Sequence, residues 1–261
     1  MYIKFLGTCG GRFATIFQTR STGGIYLKEE ETRISLDPGP GALVRFHQEK
    51  IDPTLLNAVV VSHCHIDHAN DAAILAETIT KGSTRRNGVL IASPSVVNGY
   101  GGSAPIIPRY YLTKLDRVIS VKAGDSCTVG NINITATPAQ HTDRTTVGYI
   151  FNGKNGKIGY VSDSSYFPEM IEIYRDCRLL IICTTRPLNA RIHHHICTED
   201  AAELVAGVTP ETAVLTHFGL KTLHEGTKKQ ARWIFDRTGI RTIAACDSMV
   251  IETKYGIHVD R

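Results

Sequence analysis

The 261-residue sequence lacks the features of a membrane protein, of a disulfide-stabilised protein and of a protein with a dedicated nucleic-acid-binding surface. No apolar run approaches the ~20 residues that a membrane-spanning helix requires. The seven cysteines are scattered and form no C-x-x-C pair, which argues against a disulfide framework and for a reducing cytoplasm. The formal net charge of +4 is too small for a dedicated nucleic-acid surface. The N-terminal segment has no long apolar stretch and no small-residue cleavage site, so we predict no export signal.

The composition is that of an ordinary folded protein. Hydrophobic residues make up 42% of the chain and recur along its whole length, which excludes disorder as the main state. No linker-like or low-complexity segment divides the sequence. We therefore predict one domain that spans residues 1–261.

The apolar runs predict strands and helices in two successive halves, each with strands first and helices after. Asn57–Ser62 is an almost continuous β-branched run, typical of a strand buried on both faces. Prolines and glycines in residues 93–116 predict a long loop, and Gly7–Gly11 predicts a turn with no helix after it. Two such halves predict an α+β fold, an αββα sandwich of two packed mixed sheets with helices on the outer faces. A doubly wound parallel sheet is the alternative.

A cluster of metal-ligand residue types follows the Asn57–Ser62 strand directly. In a loop that ends a strand, alternate side chains point to one side, so His63, His65 and Asp67 face together and His68 completes a second site beside them. Imidazole nitrogens and carboxylate oxygens are suitable ligands for zinc and similar divalent ions. Without a cation, these groups would repel one another or lack partners. The cluster therefore predicts a metal site.

The segment His63–His68 resembles the H-x-H-x-D-H motif of the metallo-β-lactamase superfamily. Three later segments, Pro138–His141, Tyr160–Ser164 and Leu215–Phe218, resemble further motifs of that family in the same order. The resemblance covers essentially the whole chain and implies the αββα sandwich. It also implies that Asp37 orients a ligand histidine from outside the ligand set.

The resemblance implies two divalent metal ions and a hydroxide between them that acts as the nucleophile. We expect zinc, with manganese and iron as alternatives. The implied ligands of one ion are His63, His65 and His141. Those of the other are Asp67, which is also predicted to be catalytic, His68 and His217. Asp163 is expected to bridge the two ions.

A triple histidine, His193–His195, precedes a predicted helix that begins near Thr198. This arrangement resembles the ribonuclease Z-like branch of the superfamily, in which a histidine reaches the substrate phosphate. Alignment through Thr198–Ala201 selects His195 as that catalytic residue, with roles in stabilising phosphorane oxygens or protonating the leaving alkoxide. The alternative is a solvated histidine loop, and the sequence leaves open which of the three faces the site.

We predict a metal-dependent hydrolase of phosphodiester bonds, acting on a small anionic substrate or on nucleic acid. His141 and Asp163 lie only 22 positions apart, which leaves no room for the long arm with which ribonuclease Z enzymes grip tRNA, so tRNA is a doubtful substrate. The alternatives are hydrolysis of a thioester, lactone or lactam at the same site, and a non-catalytic metal-binding scaffold. We expect no membrane partner, and the family suggests a homodimer.

Overall fold

The computed structural model describes residues 1–260 and shows fifteen strands in two mixed β-sheets. In chain order the strands are β1 (Tyr2–Phe5), β2 (Ile25–Glu29), β3 (Thr32–Leu36), β4 (Ala58–Val61), β5 (Val89–Ala92), β6 (Arg117–Ser120), β7 (Ser126–Val129), β8 (Ile132–Pro138), β9 (Val147–Gly153), β10 (Gly156–Val161), β11 (Cys177–Cys183), β12 (Thr212–Thr216), β13 (Thr242–Ala244), β14 (Val250–Glu252) and β15 (His258–Asp260).

Ten α-helices and one short 3₁₀ helix, Pro53–Leu55, accompany the strands within the described part of the chain. The α-helices are α1 (Arg12–Phe17), α2 (Ala42–Gln48), α3 (Ile66–Ala69), α4 (Ala72–Ile79), α5 (Pro94–Asn98), α6 (Arg109–Leu112), α7 (Met170–Tyr174), α8 (Thr198–Val208), α9 (Leu220–Glu225) and α10 (Thr227–Thr238). Among residues 1–260, no helix has the length and apolar character needed to cross a membrane.

Each sheet is antiparallel on one side and parallel on the other. The first sheet has the order β15-β14-β1-β2-β3-β4-β5-β6, with parallel pairing from β3 to β6. The second has the order β13-β12-β11-β10-β9-β8-β7, with parallel pairing from β10 to β13. Since the carboxyl ends of parallel strands meet at one edge of a sheet, the loops after β3, β4, β10, β11 and β12 can form a common site.

Three apolar clusters hold the layers together. The cluster between the sheets contains β-branched and aromatic side chains from both inner faces, including Ile34, Val60, Tyr149 and Ile181. A second cluster packs α7, α8 and α10 on the outer face of the second sheet, and a third packs α2, α4 and α5 on the first sheet. This arrangement of helix, sheet, sheet and helix confirms the predicted αββα sandwich. The alternative of a single doubly wound sheet is wrong.

Several local predictions are wrong in detail. The Gly7–Gly11 segment is followed by a helix, α1, which begins at Arg12. The predicted loop over residues 93–116 contains α5 and α6, and it ends before β6. Asp67 and His68 lie on the short helix α3, so the motif is a loop followed by a helical turn. On a helix, consecutive side chains point about 100° apart, and therefore strand-like alternation applies only up to His65.

Candidate metal centre

The seven predicted ligand side chains converge where the two sheets meet. His63 and His65 follow β4, while Asp67 and His68 lie on α3. The remaining members come from three other strand ends: His141 follows β8, Asp163 follows β10 and His217 follows β12. The structure therefore brings together residues separated by up to 154 positions in the chain.

Three imidazoles form the first group. His65 Nδ1 lies 3.0 Å from His63 Nε2 and 3.1 Å from His141 Nε2, so the ring nitrogens face one another. Burial lowers the pKa of His63 and of His65, and burial lowers the pKa of His141 to about 4. All three rings are thus held in the neutral form, which is the form that binds a metal ion.

Asp67, His68 and His217 form the second group. His217 Nε2 lies 3.2 Å from Asp67 Oδ2, and His68 Nε2 lies 3.9 Å from the same oxygen. Burial and then the charges of His68 and His217 act on Asp67, and its pKa falls below the usual range because the charges outweigh burial. The backbone N–H of Gly11 also donates to Asp67 Oδ2 over 2.7 Å. Asp67 is therefore an ionised carboxylate held in place from two directions.

The Asp163 carboxylate lies between the two groups. Its Oδ2 is 3.6 Å from His68 Nε2 and 3.8 Å from His141 Nε2, and its Oδ1 is 3.2 Å from His217 Nδ1. Burial alone would raise its pKa, but the neighbouring His217 and His68 hold the pKa well below the ordinary value. Asp163 is thus a buried anion with contacts to both groups, as a bridging position requires.

Asp37 positions the second ligand group through hydrogen bonds. Its Oδ2 accepts hydrogen bonds from Ser62 Oγ, Tyr160 OH and His68 Nδ1 at 2.7 to 2.8 Å, and its Oδ1 accepts from the Ser62 backbone N–H. Ser62 Oγ also lies 2.9 Å from His63 Nδ1. Because His68 Nδ1 is bound to Asp37, its Nε2 is left to point into the centre.

A cation fits this donor set. His68 Nε2 is buried, yet no residue of the described chain is within hydrogen-bond distance of it. Buried polar atoms without a partner are rare, and this one lies where two carboxylates and further imidazoles converge. Neutral imidazoles with carboxylates are the ligands that zinc, manganese and iron bind in proteins. The cluster is therefore compatible with metal ions.

His195 is the one member of the triple histidine that the structure places at the centre. Its Nδ1 lies 3.5 Å from Asp163 Oδ2, and its ring centroid lies 5.2 Å from that of His141. The side chain is 22% exposed, whereas that of Asp163 is 3% exposed. His194 acts through its backbone, since its carbonyl oxygen accepts a hydrogen bond from His141 Nδ1 over 2.9 Å.

Several residues at the centre carried no signal in the sequence. Thr185 Oγ1 lies 3.1 Å from His217 Nδ1 and 3.5 Å from His195 Nδ1. The Cys183 thiol lies beneath the centre beside Asp163 and His217, and burial raises its pKa well above the ordinary value. Gly10 packs directly against the His217 ring. Of these residues, only Gly10 lies in a segment for which the sequence predicts a structure, and the predicted structure is a simple turn.

Comparison with known proteins identifies relatives of the whole chain. A family model described as the beta-lactamase superfamily domain matches residues 32–218. An uncharacterized protein of Methanocaldococcus jannaschii is 38% identical over 256 residues, which cover 97% of this chain and 96% of that protein.

Among the solved structures that share the fold at low sequence identity are three with similar chain lengths. The metallo-beta-lactamase fold protein YhfI of Bacillus subtilis has a TM-score of 0.80 at 19% identity, covering 95% of this chain and 98% of its own. A diphosphatase of the PhnP family has a TM-score of 0.72 at 17% identity, with coverage of 98% and 99%. The short form of human tRNase Z has a TM-score of 0.69 at 18% identity, with coverage of 97% and 99%. At these identities the similarity shows the fold.

Proposed function

Because the chain belongs to the beta-lactamase superfamily, whose members include metal-dependent hydrolases, we propose that it is a dinuclear metal-dependent phosphodiesterase. The observation that carries this proposal is the convergence of two ligand groups around one buried carboxylate, with His195 beside them at the solvent side. The diphosphatase and the tRNase Z among the structural neighbours support phosphorus–oxygen bond cleavage.

His63, His65 and His141 would hold one divalent ion, and Asp67, His68 and His217 the other, with Asp163 shared between them. Zinc is the ion we favour, with manganese and iron as alternatives. Two such ions, when bound, supply a water nucleophile that is deprotonated near neutral pH and positive charge beside the reacting oxygens. The free thiols of all seven cysteines support activity in a reducing compartment such as the cytoplasm.

The protein's own side chains have distinct tasks in this scheme. Asp163 and Asp67 are anions held by several contacts, so they stay fixed while charge develops on the substrate. His195 has a partly exposed ring whose Nδ1 faces Asp163 and Thr185, which leaves Nε2 for the substrate. From this position His195 would donate a hydrogen bond to a phosphoryl oxygen or deliver a proton to the leaving alkoxide.

The substitution His195→Ala tests the proposal. It should lower kcat on methyl p-nitrophenyl phosphate by about 10²- to 10³-fold, the usual cost of losing one hydrogen-bond donor to developing oxyanion charge, with the metal content unchanged. Because p-nitrophenolate leaves without a proton, this substrate tests the contact of His195 with the phosphoryl oxygens. Substitution of the exposed His258 in β15 by Ala is the matched control and should leave kcat unchanged.

The assay should compare this phosphodiester with a thioester and a lactone, with Zn²⁺ or Mn²⁺ and after chelation. Phosphodiester turnover that is lost on chelation and in His195→Ala supports the proposal. Turnover of only the thioester or lactone, unchanged in His195→Ala, would make the chain a hydrolase of acyl substrates. Metal binding without turnover of any substrate would favour a scaffold.

A further inference from the structure

A cleft of about 360 Å³ opens beside the metal centre, and none of the seven proposed ligands lines it. His195 lines this cleft and also contacts Asp163, so the cleft begins where the reacting phosphate would lie. Small-molecule sites usually have volumes of about 300–1,000 Å³. The cleft is thus large enough for one nucleoside-sized group.

The wall of the cleft nearest the centre is held in place by hydrogen bonds. The backbone N–H of His194 donates to Ser165 Oγ over 2.8 Å, and the His194 carbonyl accepts from His141 Nδ1. The Ser165 backbone N–H donates to the Gln140 carbonyl over 2.9 Å. These bonds connect the cleft wall to the loop that carries His141, and they form a preorganised surface.

The charges of the cleft disfavour a second phosphate. The Arg191 guanidinium lies 2.6 Å from Asp200 Oδ1, while Asp200 Oδ2 accepts from the Cys197 backbone N–H at the start of α8. Arg191 is therefore neutralised by a buried carboxylate. Glu203, one turn further along α8, also lines the cleft and acts on Arg191 without a direct ion pair, so two carboxylates face one guanidinium and the three groups together carry a net negative charge. A carboxylate in this position repels anions and accepts hydrogen bonds from hydroxyl groups.

The apolar part of the lining suits a flat ring. Tyr166 and Ile192 line the cleft, and Tyr166 is partly buried because it packs against the apolar cluster outside the second sheet. A tyrosine fixed in this way offers a face on which a planar base can stack, and carboxylates commonly accept hydrogen bonds from ribose hydroxyls.

We propose that this cleft binds the nucleoside portion of the phosphodiester, with the base against Tyr166 and ribose hydroxyls donating to Glu203. The inference rests on the proposed phosphodiesterase function and narrows it to small nucleotide esters without a further phosphate on the sugar. It identifies Tyr166 and Glu203 as specificity-determining residues.

Two probe substrates share a leaving group and differ only in the group that would occupy the cleft. They are methyl p-nitrophenyl phosphate and uridine 5′-(p-nitrophenyl phosphate). We expect the uridine ester to have a kcat/KM at least about tenfold higher, mainly through a lower KM. Tyr166→Ala and Glu203→Gln should each lower kcat/KM for the uridine ester by about tenfold, the value of one stacking or charge-assisted contact. For the methyl ester, each change should stay within about twofold.

Two substitutions outside the cleft serve as matched controls, Tyr255→Ala and Glu31→Gln. Tyr255 is 83% exposed, and the Glu31 side chain is 89% exposed in the turn between β2 and β3. Neither should change kcat/KM for either probe. A uridine ester with an added 3′-phosphate should be a poorer substrate of the wild-type protein, and Glu203→Gln should reduce this penalty.

The proposal for the cleft is overturned if the methyl ester is hydrolysed as well as the uridine ester, or if the cleft variants affect both probes equally. A preference for the 3′-phosphorylated ester would also overturn it. If neither probe is turned over, the proposed function fails. The proposal for the cleft is then tested by comparing the Kd of uridine 5′-monophosphate with that of inorganic phosphate, and uridine 5′-monophosphate should bind more tightly. Equal Kd values in wild type and Tyr166→Ala would overturn it there as well.

Discussion

Asp37 is the residue that connects the ligands to the interior of the fold. Its backbone has a φ of 48° and that of His217 a φ of 56°, so both adopt the left-handed region that non-glycine residues seldom occupy. Such conformations cost free energy and persist where the surrounding contacts fix them. At Asp37 those contacts are the four hydrogen bonds from Ser62, His68 and Tyr160, which aim the carboxylate at His68.

The substitution Tyr160→Phe tests this role of Asp37, because it removes only the hydroxyl group that donates to the Asp37 carboxylate. The buried hydroxyl donates to Asp37 over 2.7 Å, and its loss should lower the free energy of unfolding by about 2 kcal/mol. Since His68 would be held less firmly, the affinity for the second metal ion should fall by about tenfold. Urea unfolding and competitive titration with a metal chelator measure the two effects.

Tyr174→Phe is the matched control for this prediction. Its buried hydroxyl bonds Thr137 Oγ1 over 2.7 Å and donates to the Tyr160 backbone carbonyl over 3.3 Å, but it does not bond Asp37, so stability should fall by about 1 kcal/mol while metal affinity stays constant. Equal losses of metal affinity in both variants would show that the Asp37 network has no special role in orienting His68.

The buried imidazoles predict how the stability of the metal-free protein depends on pH. The pKa values of His63, His65 and His141 are lowered by burial, that of His141 to about 4 from an ordinary 6.5. Below pH 6.5 these three rings therefore bind more protons in the unfolded chain than in the folded chain, and stability must fall as the pH falls. His68 differs, since burial alone would lower its pKa, but the charge of Asp67 and the contacts with Asp163 and Asp37 outweigh burial and hold the pKa well above the ordinary value. His68 is therefore protonated in both states below pH 6.5 and does not reverse the trend. For His141 alone the loss between pH 6.5 and 4 should be about 3 kcal/mol.

Urea unfolding of chelator-treated protein between pH 7 and 4 measures this loss. His141→Asn should show a shallower decline than wild type, because one of the three titrating rings is absent. A constant or rising free energy of unfolding across this range would contradict the assignment of neutral, buried imidazoles.

Among the elements, the segment that joins β1 to α1 shapes the second ligand group. Gly11 donates its backbone N–H to Asp67, and Gly10 lies so close to His217 that a Cβ at Gly10 would be 2.0 Å from the ring. The segment is thus a wall of the site, and only glycine leaves room for the imidazole.

Gly10→Ala should displace His217 and reduce the bound metal from two ions to one, because the first ligand group is untouched. Metal content by elemental analysis measures the result. If the effect acts through His217, the double variant with His217→Ala should lose no more metal than His217→Ala alone. Two ions in Gly10→Ala would contradict this role of the segment.

The strands were predictable from the sequence because their signal is local. The β-branched run Asn57–Ser62 became β4, since such side chains pack well on a sheet covered on both faces. The sequence does not predict the short helices α1, α5 and α6, because segments of four to six residues carry too little periodicity and depend on tertiary contacts. The glycines and prolines at the ends of these segments predict breaks in the chain, but they do not predict a helix between the breaks.

At the scale of the whole molecule, the site depends on how the two sheets pack. His63 and His68 follow a strand of the first sheet, whereas His141, Asp163 and His217 follow strands of the second, so a bound ion would link the two sheets. Their grouping could be predicted only through the resemblance of the motifs to a known family. Nothing in the local pattern places His217 next to Asp67, and the cleft lined by Tyr166 and Glu203 exists only once α8 is docked.

The most direct test of the metal centre is a crystal structure with diffraction data collected on both sides of the zinc absorption edge. Two anomalous peaks are expected about 3.5–4 Å apart, one within about 2.2 Å of nitrogens of His63, His65 and His141 and the other equally near ligand atoms of Asp67, His68 and His217. Asp163 should contact both. A crystal grown with excess zinc that shows no peak among these side chains would contradict the account.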